Sequence, residues 1–362
     1  MFQNPTVAIV GATGAVGREM LAVLEQRNFP HREVRVLASE RSAGSKLPYR
    51  GKHLTVEPLT EDAFGGVDIA LFSAGSGPSK RFAPIAAAAG AVVIDNSSAF
   101  RMDPAVPLVI PEINAEAIEQ AAPKSGTGRI IANPNCSAII LLMALTPLRR
   151  AFGIERVVVA TYQAASGAGA KAMEELETQT RDVLAGKEPR PQVFHEPYAF
   201  NLFCHNAPVD PVTGLNGEEA KMIEESRKIW SDPGLRLTAM CVRVPVMRAH
   251  AQAVNITLSR PATTAQVRAA LESFPGVRII DDRAGNRFPT PLKASGGDDV
   301  LVGRIRLDPS QPAHSSQSTT TSPDDTPSVG FDLFVCGDQL RKGAALNAVQ
   351  IAELFVARTT AR

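Results

Sequence analysis

Cys136 carries the clearest chemical signal in this 362-residue chain. It follows Asn-Pro-Asn (133–135) and precedes an uninterrupted apolar run from 138 to 145. This pattern predicts a cysteine at the start of a buried helix, where the first amide N–H groups and the positive end of the helix dipole favour thiolate over thiol. Cys136 is therefore a candidate nucleophile, although apolar helices also contain structural cysteines.

A glycine-rich segment near the N-terminus predicts a dinucleotide site. The apolar run 6–10 stops at a G-x-x-G-x-x-G pattern, and residues with helical spacing follow it. The first glycine allows a tight turn, the second lets the backbone approach a pyrophosphate, and the third permits close packing of helix on strand. A tight strand-to-helix turn without a ligand is the alternative interpretation. The residues expected to contact the cofactor are Gly11, Thr13, Gly14, Ala15 and Val16.

The end of the second predicted strand bears on which dinucleotide binds. An NAD enzyme usually has an acidic residue there for the ribose hydroxyls, whereas this chain has Ser-Glu-Arg-Ser from 39 to 42. Arg41 and Ser42 suit the 2′-phosphate of NADP, because a guanidinium forms charge-assisted hydrogen bonds with phosphate. We expect NADP, while Glu40 leaves NAD open.

Composition indicates a soluble enzyme of two domains. The chain exceeds the size at which one core usually keeps growing, and 44% hydrophobic residues suffice for two cores. A formal net charge of +1 offers no electrostatic argument for nucleic acid or a membrane surface as a partner. We expect a cytoplasmic protein, since neither a secretory signal nor a membrane-spanning stretch is evident. The four cysteines form no C-x-x-C pair, which argues against a metal site.

Hydrophobic periodicity predicts an α/β fold. In the first part of the chain, the expected strands are 6–10, 34–38, 54–57, 68–73, 91–95 and 129–132, and helices begin near Ala15 and Ser79. Because strands alternate with helices, we expect a Rossmann-type, mostly parallel sheet that binds the cofactor at its carboxyl edge.

The sequence after Cys136 predicts a second, α+β domain. Its expected strands are 156–163, 235–244, 253–259, 300–306 and 329–335, and its expected helices are 170–185, 217–230 and 265–272. The polar tract 311–327 is expected to be a flexible surface insertion, and a final helix ending near Ala357 to return to the first domain. The predicted domains are 1–135 for NADP binding, 136–336 for catalysis and dimerisation, and 337–362 for the returning helix.

Taken together, these segments resemble aspartate-semialdehyde dehydrogenases of the bacterial type over nearly the whole chain. The matching pieces are GATGAVG, ASERSAG, DNSSAFRMD, VIPEIN, NPNCSAI, TYQAASGAGAKAMEEL, NGEEAKM, CVRVPVMRAHAQAV and LRKGAALNAVQIAE. The resemblance implies NADPH-dependent reduction of L-aspartyl 4-phosphate to the semialdehyde, or the reverse phosphorylating oxidation, in the biosynthesis of lysine, threonine, methionine and isoleucine. It also implies a homodimer formed through the second domain.

Aldehyde oxidation needs a nucleophile and a group that handles protons. A low-pKa thiolate turns the carbonyl into a tetrahedral adduct and leaves a thioester that phosphate can attack, which is the role expected of Cys136. An imidazole that titrates near neutrality suits the base, and the resemblance assigns it to His250. His205 beside Cys204 is a rival pair, interpreted as structural because neighbours on an extended segment point in opposite directions.

The remaining site residues follow from the resemblance. Arg243 is expected to bind the substrate carboxylate, Arg101 and Lys221 the phosphate, and Glu218 the amine. Without the resemblance, these charged groups would be interpreted as solvated helix charges or surface ion pairs. Gln163 is expected to orient the substrate, and Asn135 to donate to the oxyanion of the adduct. Ser166 and Gly167 are expected near the nicotinamide, and Asn347 at its carboxamide.

Three other functions remain open from the sequence. N-acetyl-γ-glutamyl-phosphate reductase shares the fold and thiol chemistry, but a free-amine contact at Glu218 argues against it. A glyceraldehyde-phosphate-type dehydrogenase would differ in the spacing between cysteine and histidine motifs. A non-catalytic NADP-binding protein would be indicated by loss of Cys136 or His250, and both are present.

Overall fold

The computed structural model describes residues 1–120, 128–311 and 326–356. The strands are β1 (Thr6–Val10), β2 (Glu33–Ala38), β3 (Lys46–Tyr49), β4 (Lys52–Thr55), β5 (Glu57–Pro58), β6 (Ile69–Phe72), β7 (Val92–Asp95), β8 (Ile130–Ala132), β9 (Ile154–Gln163), β10 (Phe203–Cys204), β11 (Arg236–Arg243), β12 (His250–Ala262), β13 (Val277–Ile279), β14 (Val300–Leu307) and β15 (Ser328–Gly337). The helices are α1 (Ala15–Gln26), α2 (Ser76–Ala88), α3 (Pro111–Asn114), α4 (Ala117–Gln120), α5 (Cys136–Phe152), α6 (Ala170–Leu184), α7 (Gly217–Ile229), α8 (Thr264–Glu272), α9 (Pro291–Ala294) and α10 (Leu346–Glu353).

Two compact units make up the chain. The first contains Met1–Asn135 with Gly343–Arg362, and the second contains Cys136–Lys342. The first unit has a six-stranded sheet in the order β5-β2-β1-β6-β7-β8, in which every pair is parallel. The chain leaves β1 toward β2 on one side and later returns to β6 on the other, so β1 and β6 flank the point where ligands bind in such sheets. The predicted α/β class is confirmed.

One predicted strand of the first unit was wrong. Residues 54–57 do not form a single strand: β4 pairs with β3 in a separate hairpin, and only Glu57–Pro58 joins the main sheet, beside β2. Arg50 and Gly51, both with positive φ, make the two-residue turn between β3 and β4. Residues 54 and 55, which the sequence pattern assigns to the large sheet, therefore belong to the hairpin.

The C-terminal helix α10 belongs to the first unit and packs against α1. The Arg27 guanidinium forms two hydrogen bonds with the Glu353 carboxylate across this contact, at 2.6 and 2.7 Å. The chain rejoins the first unit at Gly343, not at residue 337. Asp338 explains the difference, because its carboxylate accepts hydrogen bonds from Arg248 and Gly296 of the second unit. Ala357 and most of the tract 311–327 lie outside the described residues.

The second unit is built on a mixed seven-stranded sheet in the order β10-β11-β9-β12-β15-β14-β13. Helices α5, α7 and α8 pack on one face of this sheet. Strand β12 begins at His250, three residues before the predicted start. The β10, β13 and hairpin strands are too short for a periodic sequence signal. No helix among the described residues is both long and apolar enough to span a membrane.

Helix α5 positions the cysteine. Its residues from Ser137 to Leu148 are all buried, so the helix runs through the core of the second unit rather than along its surface. Gln252 of β12 donates to the carbonyl of Ser137 at 2.8 Å and anchors the first turn to the sheet. Cys136 is thereby held, half-buried, at the N-terminus of a rigid helix.

Candidate active site

The side chains of Cys136 and His250 lie next to each other at the N-terminus of helix α5. The sulfur of Cys136 lies 3.6 Å from Nε2 of His250, which is fully buried. The pair joins two residues 114 positions apart in the sequence. A thiol beside an imidazole at a helix N-terminus is a suitable arrangement for a thiolate nucleophile.

The imidazole of His250 is fixed by the backbone of Ala164. The Ala164 N–H donates to Nδ1 at 3.0 Å. A backbone N–H can only donate, so Nδ1 must be unprotonated and the neutral ring carries its proton on Nε2, facing Cys136. Burial, with the nearby charge of Arg243 as the second cause, lowers the pKa of His250 to about 3. This ring is therefore neutral at ordinary pH and points an N–H at the sulfur.

Arg243 ends strand β11 and lies on the other side of Ala164. It is 4% exposed, and its Nη1 donates to the carbonyl of Ala164 at 3.1 Å. Nη2 lies 2.9 Å from Nε2 of His205, and Nε is 3.4 Å from Oδ1 of Asn206. One residue, Ala164, thus connects the histidine through its N–H and the arginine through its C=O.

Three further predicted residues surround the same centre. Nε2 of Gln163 contacts the Ser137 hydroxyl at 3.0 Å and Oε1 of Glu218 at 3.3 Å. Lys221 lies 3.3 Å from Oε2 of Glu218, one helical turn away on α7. An Asn216 capping box fixes the start of that helix. The structure therefore brings Cys136, Gln163, Glu218, Lys221, Arg243 and His250 together in the second unit.

The glycine loop of the first unit fits a dinucleotide. A Cβ at Gly11 would lie 2.5 Å from the Ser73 carbonyl oxygen, and one at Gly17 would lie 2.3 Å from the Gly11 carbonyl oxygen. The protein fold itself therefore requires both of these glycines. Gly14 meets only one protein atom, at 3.3 Å, so its missing side chain leaves room above the first turn of α1. Thr13, Ala15 and Val16 complete this turn, whose N–H groups can accommodate a pyrophosphate.

Arg41 lies on the surface directly after strand β2. It lies in a short 3₁₀ turn, Glu40–Ser42, directly after β2, and its side chain is exposed. Within the parts of the chain that the structure describes, it has no hydrogen-bond or ion-pair partner. Ser42 is half-buried beside it.

Arg101, Asn135 and Asn347 belong to the first unit. Arg101 donates to the carbonyls of Asn133 and Asn96, both at 2.9 Å. Asn347 is fully buried and donates from Nδ2 to Val109 O at 2.9 Å and Asn133 Oδ1 at 2.6 Å. Both residues thus hold the segment that leads to Asn135, which is itself buried.

Family models and relatives agree on what this chain resembles. Residues 6–121 match the model described as "Semialdehyde dehydrogenase, NAD binding domain", and residues 145–319 match "Semialdehyde dehydrogenase, dimerisation domain". A Synechocystis protein named aspartate-semialdehyde dehydrogenase is 51% identical over 97% of each chain. The chain belongs to the aspartate-semialdehyde dehydrogenase family. A Bacillus subtilis member is 43% identical over 96% of each chain.

Solved aspartate-semialdehyde dehydrogenases share the fold. A crystal structure of aspartate semialdehyde dehydrogenase II from Vibrio cholerae, complexed with ASA, superposes with a TM-score of 0.89 at 44% identity and 98% coverage of both chains. A probable aspartate-semialdehyde dehydrogenase from Pseudomonas aeruginosa has a TM-score of 0.87 at 28% identity. The chain is thus an enzyme of this family in sequence and in architecture.

Sequence reasoning missed several groups in this aspartate-semialdehyde dehydrogenase site. Gln339 donates to the Ser166 hydroxyl and accepts from the N–H of Ala249, the residue before His250. Gly167 lies so close to His250 that a Cβ there would be 2.8 Å from the ring. Gly-Asp-Gln (337–339) lies at the start of the predicted C-terminal segment, and no sequence signal links Gln339 to the histidine.

The other three cysteines are less suited to nucleophilic chemistry. Burial raises the pKa of both Cys241 and Cys336 to about 12. Cys204 is exposed, whereas the neighbouring His205 ring lies against Arg243. The two do not form a catalytic pair, in agreement with the alternation expected of an extended segment.

The neutral state of His250 predicts a pH dependence of stability. Between about pH 6.5 and pH 3, the unfolded ring binds a proton that the folded ring does not, so the free energy of unfolding should fall as the pH falls. His250→Gln should flatten this slope by up to about 1.4 kcal/mol per pH unit. Chemical denaturation at several pH values from 5 to 7.5 measures the slope. The exposed His53→Gln is the control, and an unchanged slope in His250→Gln would contradict a neutral folded ring.

Proposed function

We propose that the enzyme interconverts L-aspartate 4-semialdehyde and L-aspartyl 4-phosphate through a thioester on Cys136, using NADP. The observation that carries this mechanism is the sulfur of Cys136 at the N-terminus of α5, 3.6 Å from Nε2 of the His250 imidazole. The reaction would serve the biosynthesis of lysine, threonine, methionine and isoleucine.

The thiolate adds to the aldehyde carbon, and the carbonyl π pair moves onto oxygen. The oxyanion then re-forms a carbonyl as the same carbon gives up a hydride, which leaves a thioester. NADP held by the glycine loop and Arg41 would supply the hydride acceptor. A phosphate oxygen attacks this carbonyl, the C–S bond breaks, and the thiolate returns while phosphate loses its proton to solvent. Reduction of the acyl phosphate is the reverse sequence. Electrons balance in each of these steps, so the sequence of steps does not require a metal ion.

His250 serves this sequence as a hydrogen-bond donor. Its Nε2–H first stabilises the thiolate and then the oxyanion of the adduct, since Ala164 occupies the other ring nitrogen. No base is needed for the adduct, because addition of a thiolate yields an alkoxide directly. This role differs from the proton acceptor expected from sequence, and the acid-stability measurement tests the neutral ring on which it depends. Asn135 is the second candidate donor to the oxyanion.

Substrate recognition rests on charge. Arg243 binds the α-carboxylate, for which a planar guanidinium is well shaped. Glu218, only 6% exposed in its side chain, binds the α-amine, and Gln163 orients the substrate between them. Lys221 and Arg101 are the cationic groups for phosphate. An acetylated amine would lose its charge and gain bulk at Glu218, which disfavours N-acetylglutamyl phosphate.

The NADP site uses the glycine loop and the turn after β2. Gly11, Thr13, Gly14, Ala15 and Val16 accommodate the pyrophosphate, and Arg41 with Ser42 binds the 2′-phosphate. Ser166, Gly167 and Asn347 remain the candidates for the nicotinamide end. A cytoplasmic location suits a chemistry that needs a reduced thiol, and all four cysteines are free.

Cys136→Ala should abolish turnover while NADP affinity stays nearly unchanged. Loss of the nucleophile should lower kcat by roughly three orders of magnitude or more. The assay is phosphate-dependent NADP reduction with L-aspartate 4-semialdehyde, and Cys204→Ala is the control. Substantial turnover by Cys136→Ala would refute the thioester. Faster reaction of the wild type with N-acetylglutamate 5-semialdehyde or glyceraldehyde 3-phosphate would refute the substrate.

Arg41→Ala should raise the KM for NADP by about tenfold to a hundredfold and leave the KM for NAD nearly unchanged. Only NADP carries the 2′-phosphate, and a charge-assisted hydrogen bond contributes on the order of 1.5–3 kcal/mol. Initial rates with each cofactor measure the effect. Lys52→Ala, another exposed cation of the first unit, is the matched control. Equal changes for both cofactors would refute the assigned role.

A homodimer forms through the open face of the second sheet. Opposite the helices, strands β9, β11 and β15 present Val158, Ala160, Tyr162, Met240 and Phe334, of which Met240 is 55% exposed. Such an apolar face fits a second copy of the chain, as the matched dimerisation domain suggests. Met240→Glu should weaken association, and sedimentation equilibrium should then detect the 38.5 kDa monomer. The wild type sedimenting as a monomer would exclude this interface.

A further inference from the structure

Arg243 is a buried cation that forms no ion pair with the residues that the structure describes. Only 4% of it is exposed, and the face of the Phe194 ring lies 5.7 Å from its guanidinium carbon. Across residues 1–120, 128–311 and 326–356, no carboxylate comes within ion-pair distance of it. Its hydrogen-bond acceptors are uncharged: a backbone carbonyl, the Asn206 amide and the His205 ring. The guanidinium therefore has no direct ion pair, although the Glu218 carboxylate attracts it at longer range.

Sheet pairing places His205 beside this cation. Strand β10 runs antiparallel to β11, with Phe203 opposite Arg243, and the N–H of His205 donates to the carbonyl of Cys241 at 2.8 Å. Cys204 is exposed, so the alternation of the strand directs the next side chain to the opposite face. His205 thereby becomes a diagonal neighbour of Arg243 across the strand pair.

The His205 ring is neutral. Arg243 faces Nε2 at 2.9 Å, and the N–H of Ala207 faces Nδ1 at 3.1 Å. Both ring nitrogens thus face N–H donors, whereas a neutral imidazole has only one lone pair that can accept. The charged guanidinium forms the stronger hydrogen bond, so we assign the lone pair to Nε2 and the proton to Nδ1. Burial and the charge of Arg243 lower the pKa of His205 to about 4, Lys221 acts in the same direction, and Glu218 opposes them. His205 is thus an acceptor that adds no negative charge.

We propose that His205 is a positioning residue for substrate binding, which orients the Arg243 guanidinium through an uncharged acceptor and so adds no anion that would pair with it in place of the substrate carboxylate. The proposal rests on the role of Arg243 proposed above. An aspartate or glutamate at this position would hold the guanidinium more strongly. It would also pair with it, and so compete with the substrate.

Three substitutions separate positioning from simple structural support. His205→Leu removes the acceptor and should raise the KM for L-aspartate 4-semialdehyde by about tenfold to a hundredfold, with kcat changed by only a few fold. His205→Gln keeps an uncharged acceptor and should restore most of the affinity. His205→Glu keeps an acceptor but adds charge, and should raise the KM at least as much as His205→Leu. Recovery of normal KM in His205→Glu, or no change in His205→Leu, would overturn the proposal.

A truncated substrate tests whether the effect passes through the carboxylate. 3-Aminopropanal is aspartate semialdehyde without its carboxylate, and its kcat/KM should be the same in the wild type and in His205→Leu. A loss with this aldehyde equal to that with the full substrate would overturn the proposal. His195→Leu, an exposed histidine on the preceding segment, should leave the KM for both aldehydes unchanged.

A double mutant distinguishes this proposal from the role of Arg243. If His205 acts only through Arg243, adding His205→Leu to Arg243→Leu should raise the KM no further. Additive effects would overturn the proposal. No change in the KM from Arg243→Leu alone would instead refute carboxylate binding by Arg243, which is a separate failure of the proposed function. Unchanged KM values for NADP show that each variant is folded.

Discussion

The backbone of Ala164 is the constraint on which the geometry of the second unit's active site depends. Its N–H donates to His250 and its C=O accepts from Arg243. Peptide groups cannot exchange donor for acceptor, so this one residue determines both the tautomer of the imidazole and the orientation of the guanidinium. Ala164 follows directly from β9, which lies between the strands that carry the arginine and the histidine. The order of these three strands therefore determines how the imidazole and the guanidinium are oriented.

Burial of these groups concentrates positive potential around Cys136 without an imidazolium. The guanidinium of Arg243 and the N-terminus of α5 both favour an anion at the sulfur, while the histidines stay neutral because the same cation and the same desolvation oppose their protonation. A neutral donor at Nε2 keeps its proton throughout, so it stabilises successive anions without changing charge. This arrangement lowers the free energy of unfolding at acidic pH, because both histidine rings would bind a proton in the unfolded chain.

Much of the fold could be predicted from hydrophobic periodicity and from the glycine-rich turn at Gly11. Strand β1 and the start of α1 lie where the sequence predicts them, because a β-branched run and a glycine pattern change abruptly at Gly11. The long strands β9, β11, β14 and β15 alternate clearly and are predicted within a few residues. The short β3–β4 hairpin was missed, since four-residue strands carry little periodic signal and Arg50-Gly51 is an uncommon turn pair.

The active site, like the fold, could be predicted from the sequence only in part. Residue types in local motifs, such as Cys136 before an apolar helix, reveal what chemistry is available at a position. They do not reveal which lone pair faces which donor, because that depends on backbone groups such as Ala164 that any sequence would supply. His205 illustrates the difference: adjacency in sequence suggests Cys204 as its partner, yet strand alternation sends these neighbours to opposite faces. Its contact is Arg243, 38 positions away, and only the pairing of β10 with β11 brings the two together.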